Sequence, residues 1–500
     1  MDRPAHRAAR SKAEPGVRLF WAWMVIGLLL RLLVLRSTWA RTDADESAGI
    51  VMALRASEGH FFTFFWGANY GGTLVVWVEA PLVRLFGTNL ALFRVVDLAV
   101  AFVDVLLLRA VGRLAVGPRA GNAAAALFWV FPAAWVFWSA HEYVFWLTGC
   151  ACALGTALAC LRWRDGPRDA RLWPIGLLLG LTVWMYPLFL CVALPPVVAV
   201  LISQRARPTG ILRAVALVPL GAAPWIYTNA TRSFESLHHP IAGTLGFGTG
   251  VHLAVTEILP AALSATFTSV GVIWGIHVPA HPLLLVIAGV AMGGTLVWTV
   301  WSLVRRDVTR CCLGATVLLW PLFVAAARVP EAVSTYRYGL VIVPSLLLVL
   351  ADLAGRVRLS VPLVVAGTAV TLIIGGVETS GWAAAPIWPA GTTRVAHYLE
   401  AHHLSHVWAG YWESYPLTVL TSGRVQASAI SPVRDQQAAT DAAAAPRSTI
   451  VTLVDTPLDG ELETWVADHH DAERVVVGDY AVYRFDTRVD PSAMALASPI

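Results

Sequence analysis

Charge is what this 500-residue chain has least of: Lys, Arg, Asp and Glu together make up 14% of it, against roughly 25% in soluble domains. Lysine occurs once, as Lys12. With 57% hydrophobic residues and a mean hydropathy of +0.64, that scarcity excludes an ordinary soluble enzyme. Cysteine is sparse as well. Cys150, Cys152, Cys160, Cys191, Cys311 and Cys312 lie in or begin apolar runs, so no disulfide framework is read and core thiols are expected. A Walker-type glycine loop is missing, which removes the usual phosphate-cradle signature. No small-residue cleavage site follows the first apolar run, which is therefore expected to persist as a helix.

What is there is apolar sequence in membrane-sized pieces. A hydrocarbon core about 30 Å thick takes about 20 residues of helix. Runs near 18–39, 95–113, 120–138, 143–161, 172–186, 188–203, 212–228, 281–304, 311–327, 338–355 and 359–377 predict an α-helical polytopic membrane protein of about eleven transmembrane helices. The 22 Trp suit its many interfacial positions. Basic residues concentrate in the N-terminal segment, 109–119, 162–171, 205–213, 305–310 and 355–358. All fall on one side when the spans alternate, which predicts a cytoplasmic N-terminus and an extracytoplasmic C-terminus.

Residues 1–378 then form the transmembrane domain, with outside loops at about 40–94 and 229–280. Residues 74–92 are apolar but broken by Pro81, and read as interfacial helix instead of a span. After a Pro/Gly linker, residues 392–490 read as a small extracytoplasmic α/β domain. Thr392 is expected to cap a helix through Leu404, and "HVWAGY", "TIVTLVD", "RVVVG" and "YAVYRF" to form strands. "WESYPLTVLTSG" reads as a helix ended by Gly423, and 434–448 as a loop.

Candidate chemistry gathers on the outside. Asp43, Asp45 and Glu46 stand together just beyond the first apolar run, where a plain reading makes them helix caps. "WGANYGG" follows in the same loop, with Asn69 and Tyr70 as hydrogen-bonding groups and glycines that admit a ligand close to the backbone. A short loop holds His141 and Glu142. "STYRYG" sets Arg337 between Tyr336 and Tyr338, either as a snorkelling interfacial arginine or as a phosphate reader. Within the spans, Arg31 and Asp104 are expected to pair, because lone charges in a bilayer are costly. The neighbouring histidine pairs, such as His402-His403, read as surface.

The order "DE", "GANYGGT", "APLVRLFGTNLALFRVVD", "PWIYTN" and "YRY" resembles the GT-C superfamily of membrane glycosyltransferases, near the protein O-mannosyltransferase and aminoarabinose transferase group. "VWAGYWESYPLTVLTSGRV" is similar to the outside domain of some actinobacterial members. The resemblance implies a transferase in the cytoplasmic membrane that takes a sugar from a polyprenyl-phosphate carrier and passes it to a glycan, lipid or protein acceptor. It maps the base onto Asp45, with Glu46 beside it, and the donor-phosphate arginine onto Arg337, followed by Tyr338. No cofactor is implied; the Asp43–Asp45 spacing admits a metal, but the resemblance favours none. A lipid-linked sugar flippase is the competing reading, and a non-catalytic scaffold a third.

Overall fold

A computed structural model describes residues 16–141, 145–166, 171–203, 207–234, 236, 246–262, 282–326, 336–469 and 472–491. Five helices among these are long and apolar enough to cross a membrane: α1 (Val17–Arg36) and the segments Val286–Val304, Val308–Ala326, Arg337–Arg356 and Ser360–Glu378. Pro208–Gly221 and Ala223–Thr231 make a sixth if they are one span bent by 59°. The chain is thus a multi-pass membrane protein, although these helices do not by themselves make up the expected eleven. Leu28, Leu29 and Leu32 of α1 remain 43–53% exposed, a surface suited to lipid and costly in water.

The first long loop, expected outside, is structured. Asp43 precedes helix α2 (Ala44–Ser57), strands β1 (Phe64–Phe65) and β2 (Ala68–Gly72) pair antiparallel, and α3 (Leu74–Phe86) follows. At 13 residues α3 is about 20 Å long, too short for the hydrocarbon core. The long helix α4 (Leu90–Ala115) packs between α5 (Pro118–Val130) and the helix Trp146–Asp165. Residues 120–138 are not one helix as expected. Pro132, which has no N–H to donate, separates α5 from α6 (Ala133–Trp138).

The Arg31–Asp104 pair is also absent. Arg31 is satisfied inside the bundle by Ser139 Oγ at 2.8 Å and by the carbonyls of Gly27 and Trp129 at 2.9 and 2.7 Å. Its guanidinium lies 3.5 Å from the centre of the Trp129 ring. Backbone carbonyls and an aromatic face thus serve where a carboxylate was expected.

The C-terminal part is a five-stranded sheet in the order β4-β3-β5-β7-β6, made of β3 (His406–Ala409), β4 (Gln426–Ala429), β5 (Thr449–Leu453), β6 (Ala472–Val477) and β7 (Tyr480–Phe485). The β3 strand runs parallel to both neighbours, and β7 antiparallel to both of its own. One face packs Val395, Leu399 and Leu417 from helices Ala390–Ala401 and Tyr411–Leu420. The other packs Ala442, Leu458 and Leu462. Two expectations fail here. Thr392 lies inside its helix and shares a 2.9 Å hydrogen bond with the Tyr480 hydroxyl. The expected 434–448 loop contains a helix, Gln436–Ala444, which Asp435 caps by accepting from the backbone N–H of Gln437 and Ala438.

Candidate functional site

The three acids separate as soon as α2 forms, because successive residues on a helix point about 100° apart. Asp43 is the cap: its carboxylate accepts from the Glu46 N–H at 2.7 Å. Glu46 faces the interior, fully buried, and takes two 2.7 Å hydrogen bonds from Arg94 Nε and Nη2. Arg94 also reaches the Ala40 carbonyl at 2.9 Å. Burial alone would push the Glu46 carboxyl up, but the Arg94 charge outweighs it and holds the carboxyl below its usual range.

His141 joins this buried pair. It is 2% exposed, stacks on Phe137, and sets Nδ1 2.9 Å from the Phe137 carbonyl. Burial and the nearby Arg94 charge lower its pKa to about 4, with Glu46 opposing. Glu46 and His141 are therefore enclosed groups that brace the start of α2. Glu142 lies outside the described residues.

Asp45 points the other way, a third exposed. Tyr411, at the start of its helix in the C-terminal domain, donates its hydroxyl to Asp45 Oδ1 at 2.6 Å. Arg434 donates from Nη1 to the Tyr411 oxygen at 2.5 Å, lies 4.5 Å from the ring centre and reaches within 3.8 Å of Asp45 Oδ1. Burial raises the Tyr411 pKa, the Asp45 charge adds to the rise and Arg434 opposes it, so the phenol keeps its proton to donate. Nothing in the sequence between Asp45 and Tyr411 signals this contact, and neither Tyr411 nor Arg434 stood out as a candidate.

Tyr70 ties the first loop to the "YRY" turn. It sits on β2, half-buried like Asn69, with its ring 6.0 Å from Phe145 and 5.7 Å from Tyr186. Burial raises its pKa; Tyr338 adds to the rise, Arg337 opposes it and Asp45 contributes a smaller push. The Tyr336–Gly339 turn that carries Arg337 is held by Trp320, which donates to the Tyr338 carbonyl at 2.9 Å. Tyr338 also lies 6.4 Å from Trp146, ring to ring.

The glycines after Tyr70 do different work from that expected. A Cβ on Gly71 would lie 2.5 Å from the Phe145 ring, and one on Gly72 2.7 Å from the Trp184 carbonyl. They admit the protein's own packing at this corner. Among the described residues no group of three or more His, Cys, Asp or Glu is arranged to hold a metal ion.

Two solved structures of ArnT from Cupriavidus metallidurans share this fold. One, bound to undecaprenyl phosphate, aligns with a TM-score of 0.57 at 13% identity, covering 97% of this chain and 99% of ArnT. The apo form aligns with a TM-score of 0.59 at the same identity and coverage. The chain shares the fold of ArnT. No protein-family model matches it, and no curated protein matches it by sequence. At this identity the likeness is one of fold, and it spans the helical bundle and the C-terminal sheet together.

Proposed function

We propose that this protein is a glycosyltransferase. It moves a sugar from a polyprenyl-phosphate donor to an acceptor hydroxyl at the outer face of the cytoplasmic membrane, in the synthesis of a cell-envelope glycan, glycolipid or glycoprotein. The observation that carries this reading is a fold shared over 97% of the chain with a protein solved with undecaprenyl phosphate, in which Asp45 is a third exposed where the first loop meets the C-terminal domain.

The chemistry follows from those groups. An acceptor O–H placed against Asp45 gives up its proton to the carboxylate while its oxygen bonds to the anomeric carbon. The bond from that carbon to the donor phosphate oxygen breaks on the opposite face, and the electron pair leaves with the phosphate. Arg337 offsets the charge growing there, with Tyr338 against the lipid or sugar. A single displacement inverts the anomeric centre. Asn69 and Tyr70 line the substrate side. The reaction so written needs no nucleotide and no metal.

The test is transfer from a panel of radiolabelled polyprenyl-phosphate sugars to candidate acceptors in membranes. Asp45→Asn and Arg337→Ala are each expected to lower transfer by about 100-fold or more. Wild-type transfer in both folded variants would overturn the assignment. Purified protein that moves lipid-linked sugar across liposomes without transferring it would point to a flippase instead.

A further inference from the structure

The C-terminal domain reaches Asp45 through Tyr411, and the contact there is built in two layers. Tyr411 places its hydroxyl 2.6 Å from Asp45 Oδ1, with Arg434 donating to the same hydroxyl from behind and covering the ring. Gly67, at φ +78°, leaves the space that the Arg434 guanidinium fills: a Cβ there would lie 2.5 Å from Cζ. The next residue, Asp435, is bolted to α2 by Arg55, with hydrogen bonds of 3.2 Å from Nε and 3.0 Å from Nη2 between two buried side chains. The helix that carries Asp45 therefore also anchors the loop that carries Arg434.

On the reading of Asp45 as the base, we infer that Tyr411 and Arg434 are positioning residues for transfer. Tyr411 occupies Oδ1 and fixes the plane of the carboxylate, so that Oδ2 receives the acceptor proton. Arg434 holds the phenol in place. A carboxylate on a first-turn residue a third exposed would otherwise turn about its side-chain bonds, and misplacement by about 1 Å is enough to cost about 100-fold in rate. The domain then supplies part of the catalytic geometry, beyond any role in covering the site.

The experiment uses the full chain in detergent or nanodiscs, with the labelled polyprenyl-phosphate sugar that the wild type transfers. Tyr411→Phe is expected to lower kcat by about 10- to 100-fold, with the KM for the sugar donor within about twofold of wild type. Arg434→Ala should fall similarly, and Arg434→Lys should recover part of the loss. A purely structural contact would predict lower stability without that split and without rescue. As a second readout, carbodiimide labelling of Asp45, followed by mass spectrometry, should speed up several-fold in Tyr411→Phe.

Wild-type kcat in Tyr411→Phe, or unchanged labelling of Asp45, overturns the inference. If Asp45→Asn is inactive while Tyr411→Phe is fully active, the inference fails and the transferase reading stands. If Asp45→Asn is fully active, that reading fails whatever Tyr411 does.

Discussion

Arg94 closes on Glu46 through two hydrogen bonds of 2.7 Å, with no more than 3% of either side chain exposed. Two adjacent acids on α2 thereby have opposite environments: Glu46 is locked inside, and Asp45 meets the C-terminal domain. Removing one member of a buried pair strands the other, at a cost of about 3–5 kcal/mol. Glu46→Gln is therefore expected to lower the thermal midpoint in detergent sharply. Asp45→Asn should stay within about 1 kcal/mol of wild type. Equal midpoints for the two variants would contradict this division.

His141 gives stability a pH dependence. Its folded pKa of about 4 lies below the ordinary value of 6.5, so between these values the unfolded chain binds a proton that the folded chain does not. Stability then falls as pH drops from 6.5 towards 4. Lowering of the Glu46 carboxyl has the same sign and acts below the usual carboxylate range. Melting curves across this window should show the decline, and His141→Gln should flatten its upper part. A profile that His141→Gln leaves unchanged would count against it.

Asp435 is expected to matter for docking more than for the fold of its own domain. Asp435→Ala leaves the buried Arg55 guanidinium with only the more exposed Glu58 carboxylate and the Gln426 amide, and removes the cap of the Gln436–Ala444 helix. Hydrogen exchange should rise in residues 411–444 and in α2. The paired strands β5 and β7 should keep their protection. Uniform loss of protection across the sheet would mean that the contact supports the domain itself.

Gly67→Ala probes the same corner from the other side. A side chain at φ +78° costs about 1–2 kcal/mol, and the new Cβ must also displace Arg434. The variant should lose transfer activity by a larger factor than its stability change explains. A variant with full activity would show that Arg434 can move without consequence.

Much of the helical bundle was legible because it rests on local chemistry: apolar length, Pro132 aside, and the cap at Asp43. The sheet strands were legible for the same reason. Asp45 stood out because it carries charge where charge is rare. Tyr411 and Arg434 did not, because tyrosine and arginine are ordinary in a polar domain, and their contact spans 366 positions to Asp45 from Tyr411. Arg31 misled in the opposite direction. Charge balance suggested Asp104, but carbonyls of Gly27 and Trp129 were nearer to hand. The 434–448 segment reads as a loop, yet its Ala and Gln favour helix and Asp435 supplies the cap that starts one there.

Helix α2 is fastened to the C-terminal domain at both ends, by Asp45 to Tyr411 and by Arg55 to Asp435. The ten-residue step from Asp45 to Arg55 spans about 15 Å along the helix axis. Two fixed points define a line, and a body held along a line can only swing about it. A third contact off that line, from Thr88 Oγ1 to the Val419 carbonyl at 2.9 Å, blocks the swing, so the domain cannot turn about α2 without opening one of the three.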